Sequence, residues 1–283
     1  MTNFTAIDLS KLPPPKVIEE LSFEAIFQEM LNDFLEKNPT YSTLLESDPA
    51  MIVLEVCAYR EMMLRNRINE AAKATMLAYA TGSDLENLAA TMGGVQKLEN
   101  ETDERLRQRV QLAPEGFSTA GPVGAYIFHA LSASNDVKSV SAKSPNPGEV
   151  LVTILSQDGN GTASEELKDT VLEKLSEEDI RPLNDQVSVQ SAEIVNYTVE
   201  AVITVYSGPS STVVEEEAQA ALQKFMNERH AISNVVALSG IYNALHVDGV
   251  KKVELISPEA DVVTTDEQAP YCTDVNLSIV VDE

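Results

Sequence analysis

The run from Pro49 to Gly82 contains no glycine before its last residue and no proline after its first, so nothing local stops it from forming one long helix. About thirty residues at 1.5 Å each predict a rod of roughly 45 Å. Asp48 can cap its orphan amides and Pro49 suits the first turn. At 100° per residue, Val53, Val56, Cys57, Leu64, Ile68, Ala71 and Thr75 gather on one face, and Arg60 and Arg67 fall inside that stripe. A charge there needs either an exit or a partner. Two readings stay open: the arginines bury their stems and snorkel to the edge, or they pair with carboxylates of a second chain. Glu61 and Arg65, one turn apart on the flank, predict an exposed pair of a few tenths of a kcal/mol.

The chain of 283 residues is long enough for about two domains. Its 45 acidic and 20 basic residues give a formal charge of −25, which argues against binding a nucleic-acid backbone or an anionic membrane surface. The imbalance is uneven: residues 1–112 carry 18 acids and 11 bases, a net −7, and the remainder carries −18. The two cysteines, Cys57 and Cys272, make no disulfide framework and read as buried thiols of a reducing compartment. No signal segment or membrane-spanning apolar run is legible, so a soluble chain made in the cytoplasm is expected.

Leu12-Pro13-Pro14-Pro15 reads as a stiff arm. Phe23, Ile26, Phe27, Met30, Leu31 and Phe34 then recur at helical spacing between a capping Ser22 and Asn38-Pro39. After the long helix, Ser83 and Glu86 form a capping-box pattern for a short helix ending at Gly93-Gly94, and another short helix spans Asp103 to Leu112. Pro114 to Gly121 marks a boundary. Beyond it the pattern is mixed: a helix over Val123–Ala133, strands over Val137–Lys143 and Glu149–Leu155, and a Ser164-capped helix to Leu175. Strands over Val187–Glu193 and Tyr197–Tyr206 follow, then a helix after Ser210-Ser211-Thr212 with Glu215, Glu216 and Glu217 in its first turns.

An internal echo joins His129-Ala130-Leu131, Val137–Val140 and Ser144-Pro145 to Asn243-Ala244-Leu245, Val250–Val253 and Ser257-Pro258. If it marks a duplication, Glu149–Ile154 and Val275–Val280 are equivalent second strands, and Glu259 to Pro270 is a protruding insert in the second hairpin. The expected fold is α+β: an N-terminal helical, bundle-forming region at 1–113, then two mixed α/β units at 114–190 and 191–283 that duplication could relate.

Few residues of the chain stand in patterns that carry chemistry. His129, His230 and His246 are far apart and lack metal-binding spacing, so no metal is expected. Asp158-Gly159-Asn160-Gly161-Thr162 resembles a calcium loop only at its start and reads better as a glycine turn. No phosphate loop, nucleophile elbow or dinucleotide fingerprint occurs, so no cofactor is expected. Paired acids such as Glu165-Glu166 and Glu177-Glu178-Asp179 lie beside helix caps or on polar faces, and the absence of tryptophan disfavours a sugar cleft. No catalytic residue is assigned.

Ser47-Asp48-Pro49-Ala50, Leu54-Glu55, Ala58-Tyr59-Arg60-Glu61, Leu64-Arg65, Arg67-Ile68-Asn69, Ala71-Ala72, Leu77–Gly82 and Asp84-Leu85 resemble the baseplate J-like protein family of contractile-tailed phages and phage-tail-like bacteriocins. The similarity continues through Asp103–Arg107 and Ser118–Pro122, and its specific part covers residues 13 to 145. The chain departs from the family pattern at Glu86-Asn87 and Gln96-Lys97, positions that bear on which partner variant it fits. The resemblance implies a structural subunit of the baseplate, not an enzyme. It implies two J-like chains and one smaller I-like chain in a wedge, with neighbouring wedges, sheath-linking and hub-proximal proteins as further partners. The interaction residues expected of the helical bundle are Phe27, Phe34, Val53, Tyr59, Arg60, Leu64, Arg65, Arg67 and Ile68. The competing readings are a transient tail-assembly chaperone and a hydrolytic enzyme.

Overall fold

The computed structural model describes residues 9, 12–13, 15–41, 44–118, 120–207 and 211–282. The arm preceding Lys16 therefore falls mostly outside the described residues. The chain divides into two compact units, one holding residues up to Lys97 together with Thr102–Gln111, the other Leu98–Glu101 and Leu112 onward.

The first unit is helical. Helix α1 (Phe23–Lys37) starts where Ser22 Oγ accepts from the Ala25 amide, and it stops where the backbone and side chain of Asn38 both donate to Phe34 O. It packs against α2 (Pro49–Ala74). Asp48 precedes α2 without capping it, because its carboxylate accepts from Leu45 N at 2.8 Å and tightens the preceding turn instead.

At 26 residues, about 39 Å, α2 ends well before Gly82. Two causes are visible. The amide and hydroxyl of Thr75 both fold back on Ala72 O, and Arg107 draws the carbonyls of Leu77 and Ala80 onto its guanidinium, each at 2.7 Å. Residues 76–80 thus turn around a cation. Helix α3 (Gly82–Gly93) follows, and the expected Ser83–Glu86 box does not form: Asp103 accepts from Gly82 N at 2.8 Å, and Glu86 pairs with Lys97. Gly94, at φ 60°, closes the helix in the left-handed region that favours glycine. Helix α4 (Asp103–Gly116) runs past Leu112 and carries Pro114 in its last turn, so the amide that proline lacks and the local distortion it brings affect only the end of the helix. The boundary of the two units lies within it.

Among the described residues, the second unit contains two three-stranded sheets and one two-stranded sheet. Helix α5 (Val123–Ala133), strands β1 (Val137–Lys143) and β2 (Glu149–Ser156), helix α6 (Glu165–Leu175) and strand β3 (Gln186–Ser191) build the first. Its order is β1-β2-β3, with β1 antiparallel and β3 parallel to β2. Tyr126, Ala130, Val137, Val152, Ile154, Leu167, Val171 and Leu175 form its core. After Ala192 alone, the chain enters β4 (Glu193–Val205) and with it the second sheet. Ala192 is buried against Leu155 and Ala269, and its amide donates to Ile154 O at 2.9 Å, so one extended stretch serves both sheets.

Helix α7 (Ser211–Arg229), strand β5 (Val235–Val236), helix α8 (Leu238–Leu245), and strands β6 (Val250–Ser257), β7 (Val262–Val263) and β8 (Gln268–Val281) complete the unit. Glu215, Glu216 and Glu217 lie beyond the first turn of α7, where the dipole's influence has faded. The second sheet has the order β6-β4-β8, with β6 antiparallel and β8 parallel to β4. This overturns the hairpin equivalence, since β1 and β2 pair directly whereas β4 separates β6 from β8. Nor does the segment after Pro258 protrude. Its β7 pairs with β5, Asp261 accepts from Leu238 N at 2.8 Å, and the backbone of Asp266 accepts from Ser141 Oγ at 2.6 Å.

Candidate assembly surface

Helix α2 buries Met51, Ala58 and Asn69, and Leu54, Glu61, Arg65 and Ala72 on the same side are half-buried. Asn69 explains how a polar side chain comes to be buried here. Its Oδ1 accepts from Glu19 N at 3.0 Å and its Nδ2 donates to Glu19 O at 2.8 Å, so both ends of the amide hold the segment leading into α1. Arg65 joins this side: its guanidinium pairs with Glu61 and lies 3.7 Å from Glu19. The bond to Glu61, then that residue's charge, raises its pKa above the ordinary value.

Roughly 180° around the axis the same helix is apolar again. Ile52, Val53, Val56, Tyr59, Met63, Leu64 and Ile68 are all exposed, with Val53 at 60%, Leu64 at 66% and Ile68 at 63%. Arg60 and Arg67 lie among them, exposed and without an ion pair among the described residues. An isolated exposed leucine means nothing, but here the second apolar face of a two-faced helix runs for about five turns without a covering partner among the described residues of this chain. Cys57 is on the border of this face and is exposed, contrary to the expected buried thiol, because the stripe it belongs to is unspent within the chain. Cys272 is half-buried, and burial raises its thiol pKa.

The expected interaction residues therefore separate into two groups. Val53, Tyr59, Arg60, Leu64, Arg67 and Ile68 share the open face. Arg65 is engaged on the other side, Phe27 is half-buried on α1 and stacks on Phe23 with centroids 6.0 Å apart, and Phe34 tilts against Tyr41 at 5.7 Å.

Sequence reasoning passed over the buried arginines of α4. Arg107 spends all three nitrogens, on Leu77 O, Ala80 O and Glu104, and Arg109 donates from both terminal nitrogens to Gln96 O. The motif is an internal clamp on two loops. Its signal was the Arg-x-Arg-x-Arg alternation at 105, 107 and 109, which spreads charge around the helix beside apolar Leu106 and Val110 instead of confining it to one polar face. Asp103 supports the clamp: the Gly82 amide, then Lys97 at 2.9 Å, hold its carboxyl below the usual range.

No cluster of histidine, cysteine and carboxylate side chains suited to a metal occurs among the described residues, and no described helix is long and apolar enough to cross a membrane. Three models of one family match the chain in succession. Residues 46–103 match the Baseplate J-like N-terminal domain, 118–191 the Baseplate J-like central domain, and 197–278 the Baseplate J-like protein C-terminal domain. The chain belongs to the baseplate J-like family. Within that family, Baseplate protein J of Escherichia phage P2 is 40% identical over 294 aligned positions, which cover 96% of this chain and 97% of the relative. Among solved structures, a chain of the anti-feeding prophage baseplate aligns with 89% of this chain at 10% identity. Its TM-score of 0.33 is below the level of a common fold, and the chain spans 53% of that protein's length.

The α2 residues that carry the sequence resemblance to this family are distributed over both faces of the helix. Asn69 and Arg65 serve the internal face, and Tyr59, Arg60, Leu64, Arg67 and Ile68 the external one.

Proposed function

We propose that this chain is a structural subunit of the baseplate of a contractile tail or tail-like particle, made in the bacterial cytoplasm and carried in the assembled particle. Its relationship to a phage baseplate protein over nearly the full length of both chains supports that setting. The observation that carries the assembly role is the second apolar face of α2, with Arg60 and Arg67 set in it. In this reading two copies and one smaller I-like chain form a wedge, and the open face of α2 is the permanent contact. The arginines take carboxylates of the facing helices.

The chain works in three parts, 1–113, 114–190 and 191–283. The helical first part holds the wedge together, and the acidic α/β parts make the contacts that exchange with neighbouring wedges, sheath-linking and hub-proximal proteins when the tail contracts. Division of labour follows from chemistry: an apolar face gives strong, slowly dissociating contacts, whereas charged, solvated surfaces give specific and reversible ones.

Native mass spectrometry of the chain alone, and of the chain expressed with the product of the adjacent gene, tests the reading. A complex of two copies with one smaller partner is expected, and Arg67→Glu should disrupt it while charge reversals beyond residue 120 leave it intact. A monomer indifferent to that partner would overturn the wedge.

A further inference from the structure

Where β1 meets the C-terminal end of α7, the second unit contains a polar cleft of about 430 Å³ whose lining includes Lys138, Gln157, His230, Tyr271 and Asp274. The Lys138 ammonium donates to His230 Nδ1 at 2.9 Å, which leaves the ring hydrogen on Nε2 to donate to Asn160 O at 3.2 Å. Tyr271 tilts against the imidazole with ring centroids 5.2 Å apart. The Asn160 carbonyl is delivered by a turn that ends at Gly161, φ 93°, where a Cβ would come within 2.8 Å of His230 Nε2. The imidazole is therefore fixed and neutral: burial, then the Lys138 charge, lowers its pKa.

Lys138 is a half-buried lysine without a carboxylate partner, whereas Lys16, Lys37 and Lys224, which also make no ion pair among the described residues, are exposed. Lys73, Lys97, Lys143, Lys168, Lys174, Lys251 and Lys252 each pair with a carboxylate, as expected in a chain of 45 acids. Lys138 has only the neutral imidazole among the described residues, although its burial lowers its pKa and no carboxylate offsets that cost. An ammonium has three donors, and after the bond to His230 two remain on a side chain that lines the cleft. Asp274 lines the same cleft and makes no ion pair with Lys138. A half-buried cation costs free energy unless an anion accompanies it, and here the space for one is open.

We propose that this cleft is a receptor for a carboxylate side chain presented by another polypeptide, with Lys138 as its cation and the neutral His230 holding that ammonium in place. A second copy of this chain is a fitting source, because its surface is rich in exposed aspartate and glutamate. The assignment does not depend on the helical contact of α2.

The test is an NMR titration of the intact chain that follows the imidazole resonances of His230, with His129 and His246 as internal controls. The probes are sodium acetate and a short glutamate-rich peptide with blocked ends, against sodium chloride at equal ionic strength. A saturable shift confined to His230 is expected, tighter for the peptide than for acetate. Lys138→Met should weaken it roughly tenfold or more, and Asp274→Asn, which removes the competing negative charge, should strengthen it. Asp274→Asn keeps the test decisive even if Lys138→Met perturbs folding. No saturable shift with either probe, an unchanged response in Lys138→Met, or weaker binding in Asp274→Asn overturns the receptor. Saturation by acetate alone overturns the polypeptide source.

Discussion

Leu64→Ala separates a residue that serves assembly from one that serves folding. Full burial of a leucine side chain is worth about 1.5–3 kcal/mol, and Leu64 is still 66% exposed in the single chain. Covering the remaining two thirds at an interface should therefore contribute about 1–2 kcal/mol, so the substitution should weaken the complex roughly 5- to 30-fold. It should leave the unfolding free energy of the isolated chain within about 0.5 kcal/mol of the parent, since little packing is lost. Leu85, fully buried on α3, provides the contrast: Leu85→Ala removes core packing and should cost about 2–5 kcal/mol in folding. Analytical ultracentrifugation of the chain with its smaller partner reads the first quantity, and denaturant unfolding of the chain alone reads the second. If Leu64→Ala unfolds as easily as Leu85→Ala, or binds as tightly as the parent, the reasoning about the second face of α2 is wrong.

Other expectations test the internal architecture. Arg107→Ala leaves the Leu77 and Ala80 carbonyls without their charged donor and should lower unfolding stability by about 3 kcal/mol or more, read by thermal melting; Arg107→Lys should rescue little, since one ammonium cannot span the same acceptors. Gly161→Ala puts a Cβ 2.5 Å from Leu155 Cδ1 at φ 93° and should cost more than about 1 kcal/mol, whereas Gly159→Ala, at φ 60° in open space, should cost less in the same melt. Burial lowers the folded pKa of both His129 and His230 from 6.5. The stability this confers is complete above that value and is lost as the pH falls through it, because the unfolded chain takes up protons the folded chain refuses. Denaturant unfolding should show the loss on acidification below 6.5, and His230→Gln should remove its share; a slope unchanged by the substitution would contradict it.

Much of the fold was written in local signals. Ser22 and Asn38 bracket α1, Ser164 opens α6, and the β1–β2 hairpin lies where alternation placed it, because caps and period-two patterns act within a few residues. What escaped depends on distant partners. The early end of α2 is imposed by Arg107, thirty residues downstream, and the start of α3 by Asp103 rather than the nearer Ser83. The echo between Val137–Val140 and Val250–Val253 was real as sequence but did not carry strand order, which places β4 between β6 and β8. For the surface, periodicity grouped residues of α2 that the structure leaves exposed on one face, including both arginines. It could not reveal that the helix has a second, internal face, since that face uses Ala58 and Asn69, neither of which reads as core. The Lys138–His230 contact joins positions ninety-two residues apart and left no local trace.

If the face of α2 bearing Val53, Leu64 and Ile68, open in the free chain, is covered in the particle, Cys57 reports on it directly. Its thiol is exposed on the edge of that face, while half-buried Cys272, its thiol pKa raised by burial, labels slowly and serves as the internal reference. Maleimide labelling followed by peptide mass spectrometry, on the isolated chain and on purified particles, should show Cys57 modified readily in the first and protected in the second. Labelling of Cys57 in intact particles at the free-chain rate would contradict the account.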